Sequence, residues 1–373
     1  VASQVTTFVA QLHPTWFFRF VRNMPNDYAL VIDYEIQEAL AEQLEQRRLR
    51  PAMISWKDNI GPTEFGAYSS FVVVSHRRAA ALKRSVMAMT SGRTVFDFKS
   101  DVYPQLTVNQ TFASPSVSID LRQQPRVCFC IVCLPRSGSF LLCDIMGNAG
   151  LGRPTEHLRP PLIQFMEGRG DDDFDLRDWV ANVAGATCRD GIVGTKIIFN
   201  FARRMLPLLK EAERDLLEAI IARTKFIHLF RSDKLMQAVS QYRAYETGLF
   251  RKRAVPATAG PSESKVPQVP YDFGKIAHHF SALNQQETEL EKYLRTIEAE
   301  HIKIEYSSLT TDLSGNLGRI SAFLQQPVSG EAQSGDVRLR DDQSLEFAER
   351  FENEYRELYG KELRRFYAPK AHE

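Results

Sequence analysis

Apolar residues occur along this chain in short runs separated by amphipathic stretches, and the runs repeat in the order strand then helix. Tyr28-Ala-Leu-Val-Ile reads as a strand, and residues 35–48, rich in Glu, Gln, Ala and Leu, as a helix. Phe71-Val-Val-Val-Ser is a buried type of strand, followed by a helix over 79–89 and a strand over 94–98. After a break the alternation resumes. Strands are expected at 126–134, 192–199, 225–230 and 301–306, with helices at 139–149, 206–223, 234–246, 274–300, 316–325 and 344–365. This pattern predicts an α/β fold with a mainly parallel sheet flanked by helices, its ligands at the carboxyl ends of the strands.

The break suggests the domain organisation. Residues 113–126 (ASPSVSIDLRQQPR) have the composition of a linker. They separate a smaller N-terminal α/β unit over 1–112, with no legible activity, from a larger domain over 127–373. Residues 251–270, rich in Pro, Ala and Ser, form a long loop, for which a lid and plain disorder are equal readings.

Composition narrows the function. Of 373 residues, 43% are hydrophobic and 25% charged, as in globular proteins generally. Lys+Arg 47 against Asp+Glu 46 argues against bulk electrostatic binding to nucleic acid or membrane. No stretch approaches the length of apolar sequence that a membrane span needs, and no secretory signal opens the chain. Five cysteines are present, four of them between Cys128 and Cys143. They lack the spacing of a zinc site, so no metal is expected. Reduced thiols on a core strand fit a cytoplasmic location.

The chemistry concentrates at 131–142, IVCLPRSGSFLL, where an apolar strand enters a small-residue turn and then a helix. Such a turn gathers backbone N–H groups, a helix N-terminus and the cation Arg136 around one point, which suits a phosphate or sulfate. Ser137, Gly138 and Ser139 are small enough for close approach, and the N–H groups of Phe140 and Leu141 are further donors. The triphosphatase loop G-x-x-x-x-G-K-[ST] is absent. A second cationic element lies at HLFRSDKLMQAVSQYRA (228–244). It places Arg231 at a strand end and Ser240 on the following helix, a second phosphate grip. Two separate grips match a nucleotide with a 5′-phosphate group and a separate 3′-phosphate, as in 3′-phosphoadenosine 5′-phosphosulfate.

Residues 127–360 resemble the bacterial trehalose 2-sulfotransferase family of carbohydrate sulfotransferases. The family's phosphosulfate loop, close to QRSGSTLL, reads PRSGSFLL here. Its G-x-P-x-E motif is matched by Gly152-Arg153-Pro154-Thr155-Glu156, and its G-x-K by Gly194-Thr195-Lys196. Its R-x-D…Q-A-V-S…R-A segment is matched by Arg231, Asp233, Gln237-Ala238-Val239-Ser240 and Arg243-Ala244. The closing helix SLEFAERFENEYR (344–356) is also similar. Three departures stand out: Phe140 for the loop Thr, His157 for an aromatic residue, and Phe199 for a Trp.

The resemblance implies a nucleoside-triphosphatase-like sulfotransferase fold and sulfonate transfer from the phosphosulfate to a hydroxyl of a carbohydrate, glycolipid or other small molecule. It implies Glu156 as general base; His157, adjacent to it in this chain, could serve instead. Arg136 would stabilise the leaving phosphate, and Lys196 would touch the sulfonate or the acceptor. A homodimer is allowed for. Two other readings stay open: a small-molecule kinase with an atypical phosphate loop, and a non-catalytic nucleotide-binding module.

Overall fold

In the computed structural model of the chain, two all-parallel sheets carry the fold. The structure describes residues 17–57, 60, 62–75, 78–104, 106, 125–167, 176–250, 267–330 and 342–367. The expected linker lies almost wholly outside the described residues, as does most of the 251–270 loop. The described residues fall into two units: one drawn from 1–126, 155–191 and 201–220, the other from 127–154, 192–200 and 221–373.

The first unit contains β1 (Tyr28–Asp33), β2 (Met53–Trp56), β3 (Ser70–Val74) and β4 (Thr94–Asp97), in the spatial order β2-β1-β3-β4. All residues of β1 and β3 are buried, as their unbroken apolar runs require of central parallel strands. The helices Tyr34–Gln46 and Ala79–Met89 carry buried stripes, Ile36/Leu40/Leu44 and Ala79/Leu82/Val86. The strand expected over 94–98 stops at Asp97, whose carboxylate accepts from Lys99 N at 2.6 Å and Ser100 N at 2.9 Å. These bonds turn the chain into a π-helical turn, Phe98–Val102. The helix Leu176–Thr187 folds onto this turn: Asn182 Nδ2 donates to the Ser100 carbonyl and to Asp101 Oδ1, both at 3.1 Å. Asp101 also pairs with Lys83 at 2.6 Å. Residues 155–191 thus share a folded body with the N-terminal sheet.

In the second unit, β5 (Val127–Cys133) is flanked by β7 (Ile192–Ile198) and β8 (Thr224–Phe230), and β8 pairs with β9 (His301–Glu305). The chain leaves β5 towards one side for β7 and returns on the other for β8. The carboxyl end of β5 is therefore a topological switch point, where open parallel sheets bind ligands. A core of Val132, Leu134, Leu235, Val239, Leu283 and Phe347 joins the sheet to the helices Lys234–Thr247, Phe273–Thr296 and Asp342–Tyr359. The last helix ends at Tyr359, short of the expected residue 365, because Gly360 takes a left-handed φ of 60°. The chain beyond it lets Arg365 reach Asp233 at 2.8 Å.

Candidate active site

Residues Leu134–Gly138 link β5 to the helix Ser139–Asn148, whose first N–H groups have no partner within their own helix. Two residues of this loop are left-handed, Arg136 (φ 63°) and Gly138 (φ 86°). Gly138 is dictated twice: its φ disfavours a side chain, and a Cβ there would overlap the Tyr306 ring. Ser137 is fully buried, and its hydroxyl donates to the Leu134 carbonyl at 2.9 Å, so its proton serves the loop itself.

Arg136 reaches across to the helix Lys234–Thr247. Its Nε donates to Ser240 Oγ at 3.0 Å and its Nη1 to the Phe250 carbonyl. Burial, and then repulsion from Arg231, push the Arg136 guanidinium below the ordinary arginine range; Tyr306 acts in the opposite sense. The Arg231 guanidinium lies 5.1 Å from the centre of the Tyr306 ring. Arg136, Ser240, Gly138 and Arg231, read from separate segments, therefore meet around Tyr306. Arg136 and Ser240, expected at opposite ends of one nucleotide, are bonded to each other.

The cleft beside them is lined by Arg136, Ser240, Arg243, Thr247 and Ser344. Arg243 is buried and donates to Ser344 Oγ. Its position three residues after Ser240 places both on one helix face. Arg243 stands in the matched R-A segment, and that spacing is the signal that could have given it a role in the site. Ser344 opens the matched closing helix with no sign of such a role, and nothing local marks Tyr306; both arrive from distant segments. Lys196, on β7, is buried with its ammonium 3.6 Å from the centre of the Phe140 ring. The ring thus offers the cation its negative face.

Glu156 belongs to the first unit, in the two-residue strand β6 (Thr155–Glu156). Arg159 Nε approaches its Oε1 at 3.8 Å. His157 is buried, with Nε2 2.8 Å from Thr155 Oγ1 and its ring edge-on to Trp179. Burial, then repulsion from Arg159, pull the imidazole down to about 3.

The family model for Stf0 sulphotransferases matches residues 128–354, which include the loop, the Arg136–Ser240 pair and Glu156. The chain belongs to the Stf0 sulphotransferase family.

Among curated proteins it is similar to trehalose 2-sulfotransferase of Mycolicibacterium smegmatis, with 26% identity over 187 residues. The match covers 47% of this chain and 65% of that protein's length. As a Stf0 family member the chain has its β5 loop, Lys196 and Arg231 within the matched region, whereas β1 to β4 precede it. Among the described residues no group of three or more His, Cys, Asp or Glu side chains is arranged to hold a metal ion. No helix among them is long and apolar enough to cross a membrane.

Proposed function

We propose that the chain transfers a sulfonate group from 3′-phosphoadenosine 5′-phosphosulfate to a hydroxyl of a carbohydrate acceptor. The observation that carries this reading is the bond from Arg136 of the β5 loop to Ser240, with Arg231 near enough to repel Arg136 and beside Tyr306, the ring that closes over Gly138 of the same loop. Two half-buried cations that repel each other cost free energy unless an anion joins them. Gly138 takes the left-handed φ that turns the loop into the start of the helix Ser139–Asn148, whose N–H groups suit an anion.

The donor supplies an activated sulfonate on a phosphate leaving group. The chain's own residues bind and orient it. In this reading Arg136, tied to Ser240, binds the 5′ phosphate group and reaches the 3′ phosphate, Arg231 grips the 3′ phosphate, and Arg243, which lines the cleft with Arg136 and Ser240, assists it. The N–H groups at the start of the helix Ser139–Asn148 face the developing charge on the leaving oxygen. Preorganised dipoles and cations there act most strongly in the transition state. Lys196, held against Phe140, touches the sulfonate or the acceptor in this reading.

Glu156 takes the proton from the acceptor hydroxyl. His157 is the weaker candidate, since an imidazole pulled to about 3 accepts protons poorly near neutrality. The relative's name gives trehalose as the first acceptor to test. Thiols on the core strand β5 support a cytoplasmic setting.

The experiment is incubation of the protein with isotopically labelled donor and trehalose, or a carbohydrate extract, followed by mass spectrometry for an added sulfonate. Binding of adenosine 3′,5′-bisphosphate is measured alongside. A labelled product, and bisphosphate binding that weakens in Arg231→Ala, support the reading. No product from any hydroxylated acceptor, with no bisphosphate binding, overturns it.

A further inference from the structure

Behind the anion loop runs a chain of buried polar groups, fully or almost fully excluded from solvent: His228 on β8, Glu287 on the helix Phe273–Thr296, and Lys234 and Gln237 on the helix Lys234–Thr247. His228 Nε2 lies 2.6 Å from Glu287 Oε1, and Lys234 Nζ lies 2.6 Å from Glu287 Oε2. Lys234 Nζ also donates to Gln237 Oε1 at 3.1 Å, and Gln237 Nε2 donates to the Pro135 carbonyl at 2.7 Å. Burying such charges is costly, and apolar residues of similar size would serve packing equally well.

The direction of each bond is set by chemistry. An ammonium only donates, so the oxygen of the Gln237 amide must face Lys234 and the N–H must face Pro135. Burial opposes the Glu287 charge, but the bonds from His228 and Lys234 hold its carboxyl below the usual range, so it serves as the acceptor between them. Pro135 is the first residue before left-handed Arg136. In a trans peptide the C=O and the next N–H point in opposite directions, and no described peptide bond is cis. Holding the Pro135 carbonyl towards Gln237 therefore turns the Arg136 N–H away from the core, towards the ligand side. It also supports the positive φ of Arg136, which is strained for a non-glycine residue.

We propose that Gln237 is a positioning residue for the anion loop, with Lys234, Glu287 and His228 fixing the orientation of its amide. In calling the bound anion a nucleotide phosphate, this rests on the sulfotransferase reading above; the effect on the loop does not.

The test compares wild type with Gln237→Glu, which keeps the shape but loses the N–H, and Gln237→Met, which is neutral and less prone to perturb folding. Three quantities are read: melting temperature, amide hydrogen exchange of a peptide covering 134–142, and the dissociation constant for adenosine 3′,5′-bisphosphate. Expected in a folded variant is loop exchange faster by about tenfold, the equivalent of one lost hydrogen bond. Exchange within the helix Phe273–Thr296 should be unchanged and bisphosphate binding about tenfold weaker. A merely structural role would speed exchange throughout the second unit instead, and that result overturns the proposal. Unchanged loop exchange in both variants overturns it too. If wild type binds no bisphosphate while loop exchange responds as expected, the positioning role stands and the sulfotransferase reading falls.

Discussion

The Nε of Arg136 and the Oγ of Ser240 are hydrogen bonded at 3.0 Å, joining the loop after β5 to a helix 104 residues further along the chain. The bond orients a guanidinium that burial and Arg231 both disfavour. Ser240→Ala should leave that guanidinium less well held. The loss of one charge-assisted bond, about 1–2 kcal/mol, corresponds to roughly 5–30-fold weaker bisphosphate binding. Titration calorimetry reads this directly, and affinity within twofold of wild type would show that Ser240 plays no part in holding the ligand.

Gly138→Ala meets two obstacles, a left-handed backbone and the Tyr306 ring. Bisphosphate affinity should fall more than tenfold and stability by about 1–3 kcal/mol. Adding Tyr306→Ala relieves the overlap but not the φ, so the double variant should recover only part of the lost stability. Thermal melts of the two single variants and the double variant check this.

Glu156→Gln should lower turnover by about a hundredfold or more while bisphosphate affinity stays within twofold of wild type. The substitution keeps the shape and removes the proton-accepting charge. Retained turnover at saturating donor and acceptor would remove Glu156 from the mechanism.

His157 is buried with its imidazole held at about 3, well below the ordinary value of 6.5. The unfolded chain therefore binds a proton below pH 6.5 that the folded chain refuses. Stability contributed by the neutral ring is complete above that pH and is lost as pH falls towards 3. The limiting slope is about 1.4 kcal/mol per pH unit. His157→Gln, which can still bond Thr155, should show a shallower fall in melting temperature between pH 6.5 and 4.5. At the lower edge of this window the unfolded chain also begins to protonate Asp33, Glu287 and Glu305, whose carboxyls the fold holds below their ordinary values. His279 shifts in the same direction, so the difference between variant and wild type is the quantity to compare.

Local chemistry made much of this protein readable from residues alone. Apolar runs marked β1, β3, β5 and β8 because central parallel strands must be apolar on both faces. The β5 turn was readable as an anion loop because small residues, a helix start and an arginine are contiguous there. Arg231 and Ser240 were readable because a strand end and the next helix are close in sequence.

What lay beyond reach were the relationships whose partners are far apart along the chain. The bond between Arg136 and Ser240, the Tyr306 ring over Gly138 and the buried chain from His228 to Pro135 each need elements that meet only when β5, β8 and β9 pair. The folding of 155–191, Glu156 included, with the N-terminal sheet depends on side chains such as Asn182 and Asp101. Their hydrogen bonds leave no periodic trace in sequence. Hydrophobic periodicity records which face of an element is buried, but not which distant polar atom it will meet there.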